Sequence, residues 1–275
     1  MRMSRSPENN QRSGAPHPWT FFALVLALAT PFWLLSAVTR YLLLPGLPIA
    51  ALMAICPVAA ASILVRKAGG MSSLRAFLLR SLDYRRIKNP VWYVPALLLA
   101  PLLNVIAFAV LRIAGEPIPL PHMSPNEIVS LCVMFFVGAA AEELGWSGYA
   151  TDPLQQRYGA FGCALIVGFV WALFHFVPLV EVGRSFGWIA WWTVGTVALR
   201  VLIVWLYDNT DRSVFGATLL HASTNVSWQV FPVHGSYFDP GINGVIFAST
   251  ALLIVAFGRP FAIARRQGAK VRHPL

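Results

Sequence analysis

The chain has 275 residues, of which 57% are hydrophobic and only 12% charged, with a mean hydropathy of +0.64 and a formal net charge of +10. A soluble domain carries about 25% charged residues, so an ordinary soluble enzyme is excluded. The basic residues lie in short segments between apolar runs, where they orient a membrane protein, and this distribution argues against nucleic acid as the partner.

Residues 1–18, with Pro7, Asn9, Asn10, Ser13, Gly14 and Pro16, read as a disordered polar arm. They lack the short apolar core and small-residue cleavage site of a signal peptide. Apolar runs of about 17–23 residues then recur, each long enough to cross a hydrocarbon layer roughly 30 Å thick. They are placed at Trp19–Val38, Leu42–Val65, Pro90–Leu111, Glu127–Gly148, Ala160–Phe176, Gly187–Leu206, Val214–Val230 and Ile242–Phe257. The runs are nearly continuous in Leu, Ala, Val, Ile and Phe and lack the in/out alternation of an outer-membrane barrel. The expected fold is therefore all-α, a polytopic bundle of about eight transmembrane helices forming one domain over 19–258, with a basic cytoplasmic tail at 259–275. Cys56, Cys132 and Cys163 fall inside the runs and read as small buried hydrophobes rather than a disulfide framework or metal knuckle.

Eight crossings sort the basic residues: seventeen lie on the side of the termini, three (Arg40, Arg112 and Arg184) on the other, and Arg200 lies within a span. That bias predicts an integral membrane protein with both termini cytoplasmic. Gly70–Lys88 is too charged to span. Leu74, Phe77, Leu78, Leu82 and Ile87 interleave there with Arg75, Arg80, Arg85 and Arg86, which predicts a basic interfacial helix on anionic lipid. A solvated loop with scattered leucines is the alternative.

Ionisable groups at membrane depth cost a few kcal/mol each unless paired or wet, roughly 2.5–3.5 on insertion scales. The fourth span ends with Glu142 and Glu143, which project about 100° apart on a helix and so cannot both serve one spot. One is expected to face a cavity and the other to make a structural pairing, unless both simply mark the helix exit into water. The fifth span holds Trp171 and His175, where a histidine among aromatics is more often a packing residue than a catalyst. In the seventh span, His221 and Asn225 share a helix face, while Ser223 and Thr224 can bond their own backbone.

A carboxylate, two imidazoles and an amide suffice for hydrolysis. A desolvated carboxylate is a better base, and a neighbouring histidine can hold the same water or protonate the leaving amine. The second histidine and the amide can stabilise the oxyanion, where one good donor is worth roughly 3 kcal/mol. A zinc-dependent version would use Glu142, His175 and His221 as ligands, although no His-Glu-x-x-His pair is present. No metal is the favoured reading.

The order Glu-Glu-x-x-x-(Arg), Phe/Trp-x-x-x-His and His-x-x-x-Asn on successive membrane helices resembles the CAAX protease and bacteriocin-processing family. This is the Abi-type group of intramembrane proteases that includes the Ras-converting enzyme. The similarity covers roughly Glu127 to Val230. It implies an intramembrane endopeptidase in which Glu142 and His175 activate water while His221 and Asn225 donate to the oxyanion. Its partner would be a peptide or protein substrate at the membrane, either CAAX-type or a leader peptide, and its setting a bacterial inner membrane.

This sequence departs from the family pattern at Ser147, where arginine is usual. Serine supplies neither a permanent charge nor a planar fork, so Glu143 loses its expected partner. Arg200 is a substitute on paper, but the expectation slightly favours its snorkelling to the cytoplasmic surface. A scaffold or transporter of the same fold is the different-class alternative. Depth adds a constraint, since a fourth helix that stopped at Gly148 would leave Glu142 near one face and His175 near the other. The helix is therefore expected to continue to about Leu154. His221 looks shallower, so the seventh helix is expected to start before Val214 or the site to open as a tilted cavity.

Overall fold

The structure is a computed structural model that describes residues 17–44, 47–232 and 234–257. Most of the expected polar arm and the basic tail lie outside the described residues. Helix α1 (Pro18–Thr39) starts with proline in its first turn, where a missing N–H costs nothing, and ends at Arg40. Short antiparallel strands β1 (Leu42–Leu44) and β2 (Leu47–Pro48) follow, and a 3-10 turn (Ile49–Ile55) leads into α2 (Cys56–Leu78). The second apolar run therefore becomes helical only at Ile49, not at Leu42. Helix α2 breaks at Gly70, whose φ of 73° suits a residue without a Cβ. Beyond the break the basic segment stays helical, then passes through 3-10 turns at Leu79–Leu82 and Tyr84–Arg86.

Helix α3 (Tyr93–Ile113) leads to α4 (Pro125–Gly145), which opens with a reciprocal capping box between Ser124 and Glu127. There is no stop at Gly148. The chain runs on through a π-helical stretch (Trp146–Thr151) into α5 (Asp152–Glu181), as the depth argument requires. The real interruption is Gly159, with φ 72° and ψ 171°. Beyond it the chain folds back, since the Cys163 thiol reaches the Thr151 carbonyl at 3.4 Å. Helices α6 (Phe186–Asn209), α7 (Val214–Val230) and α8 (Pro240–Phe257) complete the bundle. Ser213 caps α7, which begins at Val214 and no earlier.

The chain is a polytopic helical membrane bundle. Among the described residues, six helical runs are long and apolar enough to cross a bilayer: Pro18–Thr39, Ile49–Leu82, Pro90–Ile113, Pro125–Glu181, Phe186–Asn209 and Pro240–Phe257. A straight helix as long as Pro125–Glu181 would reach about 85 Å, far beyond a layer roughly 30 Å thick, so the break at Gly159 divides it. Eight crossings require both halves of that run and the 17-residue α7 to count.

Helix α6 lies at the centre. Ala198 through Val204 are all buried, as are Leu206 and Tyr207, so its second half is enclosed on every side. It packs against α5, α7 and α8, while α4 packs against α7 and α2. Gly168 on α5 brings that backbone onto α6, where an added Cβ would lie 3.1 Å from the Arg200 Cβ. Cys56 and Cys163 are buried as expected, but Cys132 is exposed on the bundle surface, since α4 turns that face away from its neighbours.

Candidate active site

Glu142 and Glu143 are both buried at the end of α4, immediately before the π stretch. The residues one helical turn later fold back onto them. The Trp146 indole N–H donates to Glu142 Oε2 at 3.1 Å, and the Ser147 hydroxyl donates to Glu143 Oε2. From across the bundle, the Trp171 indole N–H donates to the same Glu142 Oε2 at 2.7 Å. Two neutral donors thus hold one oxygen of Glu142. Among the described residues Oε1 has no protein partner.

Glu143 is held by charge. Arg200 grips it bidentately, with Nη1 to Oε2 at 2.8 Å and Nη2 to Oε1 at 2.9 Å. Neither side chain has any exposed surface. The expected snorkelling of Arg200 is therefore wrong. Its helix is the enclosed one, so the guanidinium has no path to the surface and meets a carboxylate instead. It also lies 4.2 Å from the centroid of the Trp171 ring, a cation–π contact. Ser147 thus adds a neutral donor to the charged partners of Glu143.

The two histidines are fixed by different acceptors. His175 places Nδ1 2.9 Å from the Trp171 carbonyl oxygen, and a carbonyl only accepts, so Nδ1 carries the hydrogen. In the neutral ring Nε2 then holds the lone pair. Trp171, Phe174 and Trp192 surround that ring. His221 Nδ1 lies 3.0 Å from Glu143 Oε1, which by the same reasoning receives its hydrogen. The His221 ring stands edge-on to Trp171, with centroids 4.9 Å apart.

Trp171 therefore touches four members of the constellation. Its indole N–H meets Glu142, its carbonyl meets His175, and its ring meets His221 and Arg200. Asn225 lies one turn beyond His221, is partly exposed, and makes no side-chain hydrogen bond among the described residues. Ser223 and Thr224 bond the Leu220 carbonyl of their own helix, the local role expected of them.

Sequence reasoning missed Trp146 and the π stretch. The spacing carried part of the signal, since Trp146 and Ser147 each follow a glutamate by four residues. Among the described residues, no three His, Cys, Asp or Glu side chains are grouped to hold a metal ion. Glu142 Oε2, His175 Nδ1 and His221 Nδ1 are each engaged by other protein groups. An open recess lined by His122, Met123, Ser124, Glu127 and His234 lies at the far end of α4. It is about 22 Å along the helix from Glu142 and belongs to no part of this site.

Residues 124–227 match the family described as type II CAAX prenyl endopeptidase, Rce1-like. A curated relative, CAAX prenyl protease 2 of Methanococcus maripaludis, is 28% identical over 141 residues, which is 47% of this chain and 51% of that protein. The chain spans about half the length of the curated relative it matches. The matched segment holds Glu142, Glu143, His175, His221 and Asn225 together with Trp171 and Arg200.

Proposed function

We propose that this chain, whose residues 124–227 match the type II CAAX prenyl endopeptidase family, is an intramembrane endopeptidase that hydrolyses a peptide bond with activated water. The observation that carries this reading is the junction at Trp171, which ties Glu142, His175 and His221 to one place in the bundle.

In this mechanism a water lies between the free Oε1 of Glu142 and Nε2 of His175. Glu142 takes a proton as the water oxygen adds to the peptide carbonyl carbon, giving a tetrahedral oxyanion. Asn225 donates to that oxygen through its free amide N–H. His221 donates through Nε2 when its ring is protonated, and Glu143 is the anion placed to hold the resulting imidazolium. With both glutamates ionised and Arg200 charged, that proton makes the site neutral. The C–N bond then breaks, and the departing amine receives the proton that Glu142 took, directly or through His175. Arg200 supplies the guanidinium missing at Ser147, so the departure from the family motif does not leave Glu143 unpaired.

Substrates of two kinds fit this reading: a prenylated CAAX peptide, and a leader peptide of bacteriocin type. Both termini are assigned to the cytoplasmic side of a bacterial inner membrane, from the distribution of basic residues. Anionic lipid is assigned to the basic segment 70–88 through Arg75 and Arg85, since Arg80, Arg86 and Lys88 have protein partners.

The test is digestion of a prenylated CAAX peptide and a leader-peptide library by the purified protein, with and without chelator, against Glu142→Gln. The wild type is expected to cleave at least one class with chelator present, and the variant none. Equal behaviour of the two proteins on every substrate would point to a scaffold. Loss of activity with chelator, restored by zinc, would establish the metal-dependent version.

A further inference from the structure

The site depends on the register of two packed helices, α4 and α7, that are distant in sequence. Glu143 and His221 meet at 3.0 Å, yet they lie on α4 and α7, which join through no short connection. The basic segment beyond the Gly70 break reaches both. Arg80 donates through Nη1 to the Gly148 carbonyl at 2.7 Å, inside the π stretch that follows Glu143. Through Nη2 it donates to the Tyr207 hydroxyl at 2.9 Å and to the Arg212 carbonyl at 3.0 Å. Tyr207 lies about two turns beyond Arg200 on α6, and Arg212 lies in the turn between α6 and α7. The Tyr207 hydroxyl passes the link on to Asp152, at 3.2 Å, which also pairs with Arg212 at 3.1 Å.

Three residues later, Asp83 caps α7. Its carboxylate accepts from the Ser213 hydroxyl at 2.8 Å, the Phe215 N–H at 3.0 Å and the Val214 N–H at 3.3 Å. The first N–H groups of a helix have no partners within it, and a carboxylate there also faces the positive end of the helix dipole. Arg80 and Asp83 are themselves 3.9 Å apart. Arg86 to the Asp211 carbonyl at 2.9 Å and Lys88 to Asp211 at 3.1 Å fasten the same turn further along.

We propose that the turn Arg80–Asp83 is a positioning clasp for the active site, holding the π stretch after Glu143 and the start of the His221 helix at the spacing that lets those two residues meet. Arg80 touches no reacting atom and acts through the elements it joins. The activity readout rests on the endopeptidase reading, whereas the exchange readout below does not.

The experiment compares wild type with Arg80→Met, which keeps the aliphatic stem but removes the donors, and with Arg80→Lys and Asp83→Asn. Arg157→Ala, an exposed side chain over the Tyr158 ring and outside the site and the basic segment, is the control. Arg80→Met is expected to lower kcat roughly 10–100-fold with KM nearly unchanged, the scale of a misplaced catalytic group. Arg80→Lys should recover part of the loss, and Arg157→Ala should match wild type. Hydrogen exchange should quicken in 146–151 and 214–218 of the Met variant while Pro18–Thr39 stays protected. An unchanged kcat, or exchange that rises evenly along all helices, overturns the clasp. If wild type cleaves nothing, the endopeptidase reading fails, and the exchange pattern alone decides whether the clasp exists.

Discussion

Glu142 and Glu143 are adjacent in sequence and buried in the same bundle, yet they are held by opposite means. Glu143 receives a guanidinium fork, an imidazole and a hydroxyl, so every lone-pair direction is engaged and its charge is matched. Glu142 receives two indole N–H groups on one oxygen, and no cation among the described residues touches it. A carboxylate of the first kind is a structural anchor. The second kind keeps an oxygen and an unmatched charge for chemistry. Position on the helix makes the difference, because residues about 100° apart face different neighbours, α6 and α7 for one and α5 for the other. Residue type alone therefore cannot say which member of a Glu-Glu pair reacts.

The contrast can be broken experimentally, beginning where the charge is. Arg200→Leu strands Glu143 as a buried anion and is expected to cost about 3–5 kcal/mol of stability, read from unfolding in detergent. Adding Ser147→Arg should recover part of it, since that position already reaches Glu143. A double variant as unstable as the single one would show that the family arginine and Arg200 are not interchangeable. Trp171→Phe keeps a ring against Arg200 but removes the shorter indole bond to Glu142. It should cost about 1.5–3 kcal/mol and lower kcat more than it raises KM. Ser147→Ala takes away one of several donors to Glu143 and should cost only about 1 kcal/mol. A larger loss from Ser147→Ala than from Trp171→Phe would reverse the division of roles.

Much of this was legible in the residues, and unevenly so. Helix α7 runs from Val214 to Val230 as the apolar pattern places it, because Ser213 supplies a local N-cap. The extension of α4 past Gly148 was accessible through depth, since Glu142 and His175 could not otherwise share a level. The π stretch was not: Trp146 packs on Phe21, Phe22 and Phe174 of other helices, contacts that no local pattern reports. Arg200 was misread for a related reason. Hydropathy along α6 reports an apolar helix but not that its half around Arg200 is enclosed on all sides, and only enclosure forbids snorkelling. The short strand pair Leu42–Leu44 and Leu47–Pro48 was hidden inside an apolar run that reads equally as helix.

The most direct test sets Glu142→Gln beside Glu143→Gln in the same membrane preparation, measuring peptide cleavage and unfolding temperature together. A glutamine at 142 can still accept both indole N–H groups through its carbonyl, so the fold should hold while hydrolysis falls by about 10²–10⁴. A glutamine at 143 leaves Arg200 buried without an anion, so the unfolding temperature should drop sharply. The account is contradicted if Glu142→Gln cleaves like wild type, or if Glu143→Gln is as stable as wild type.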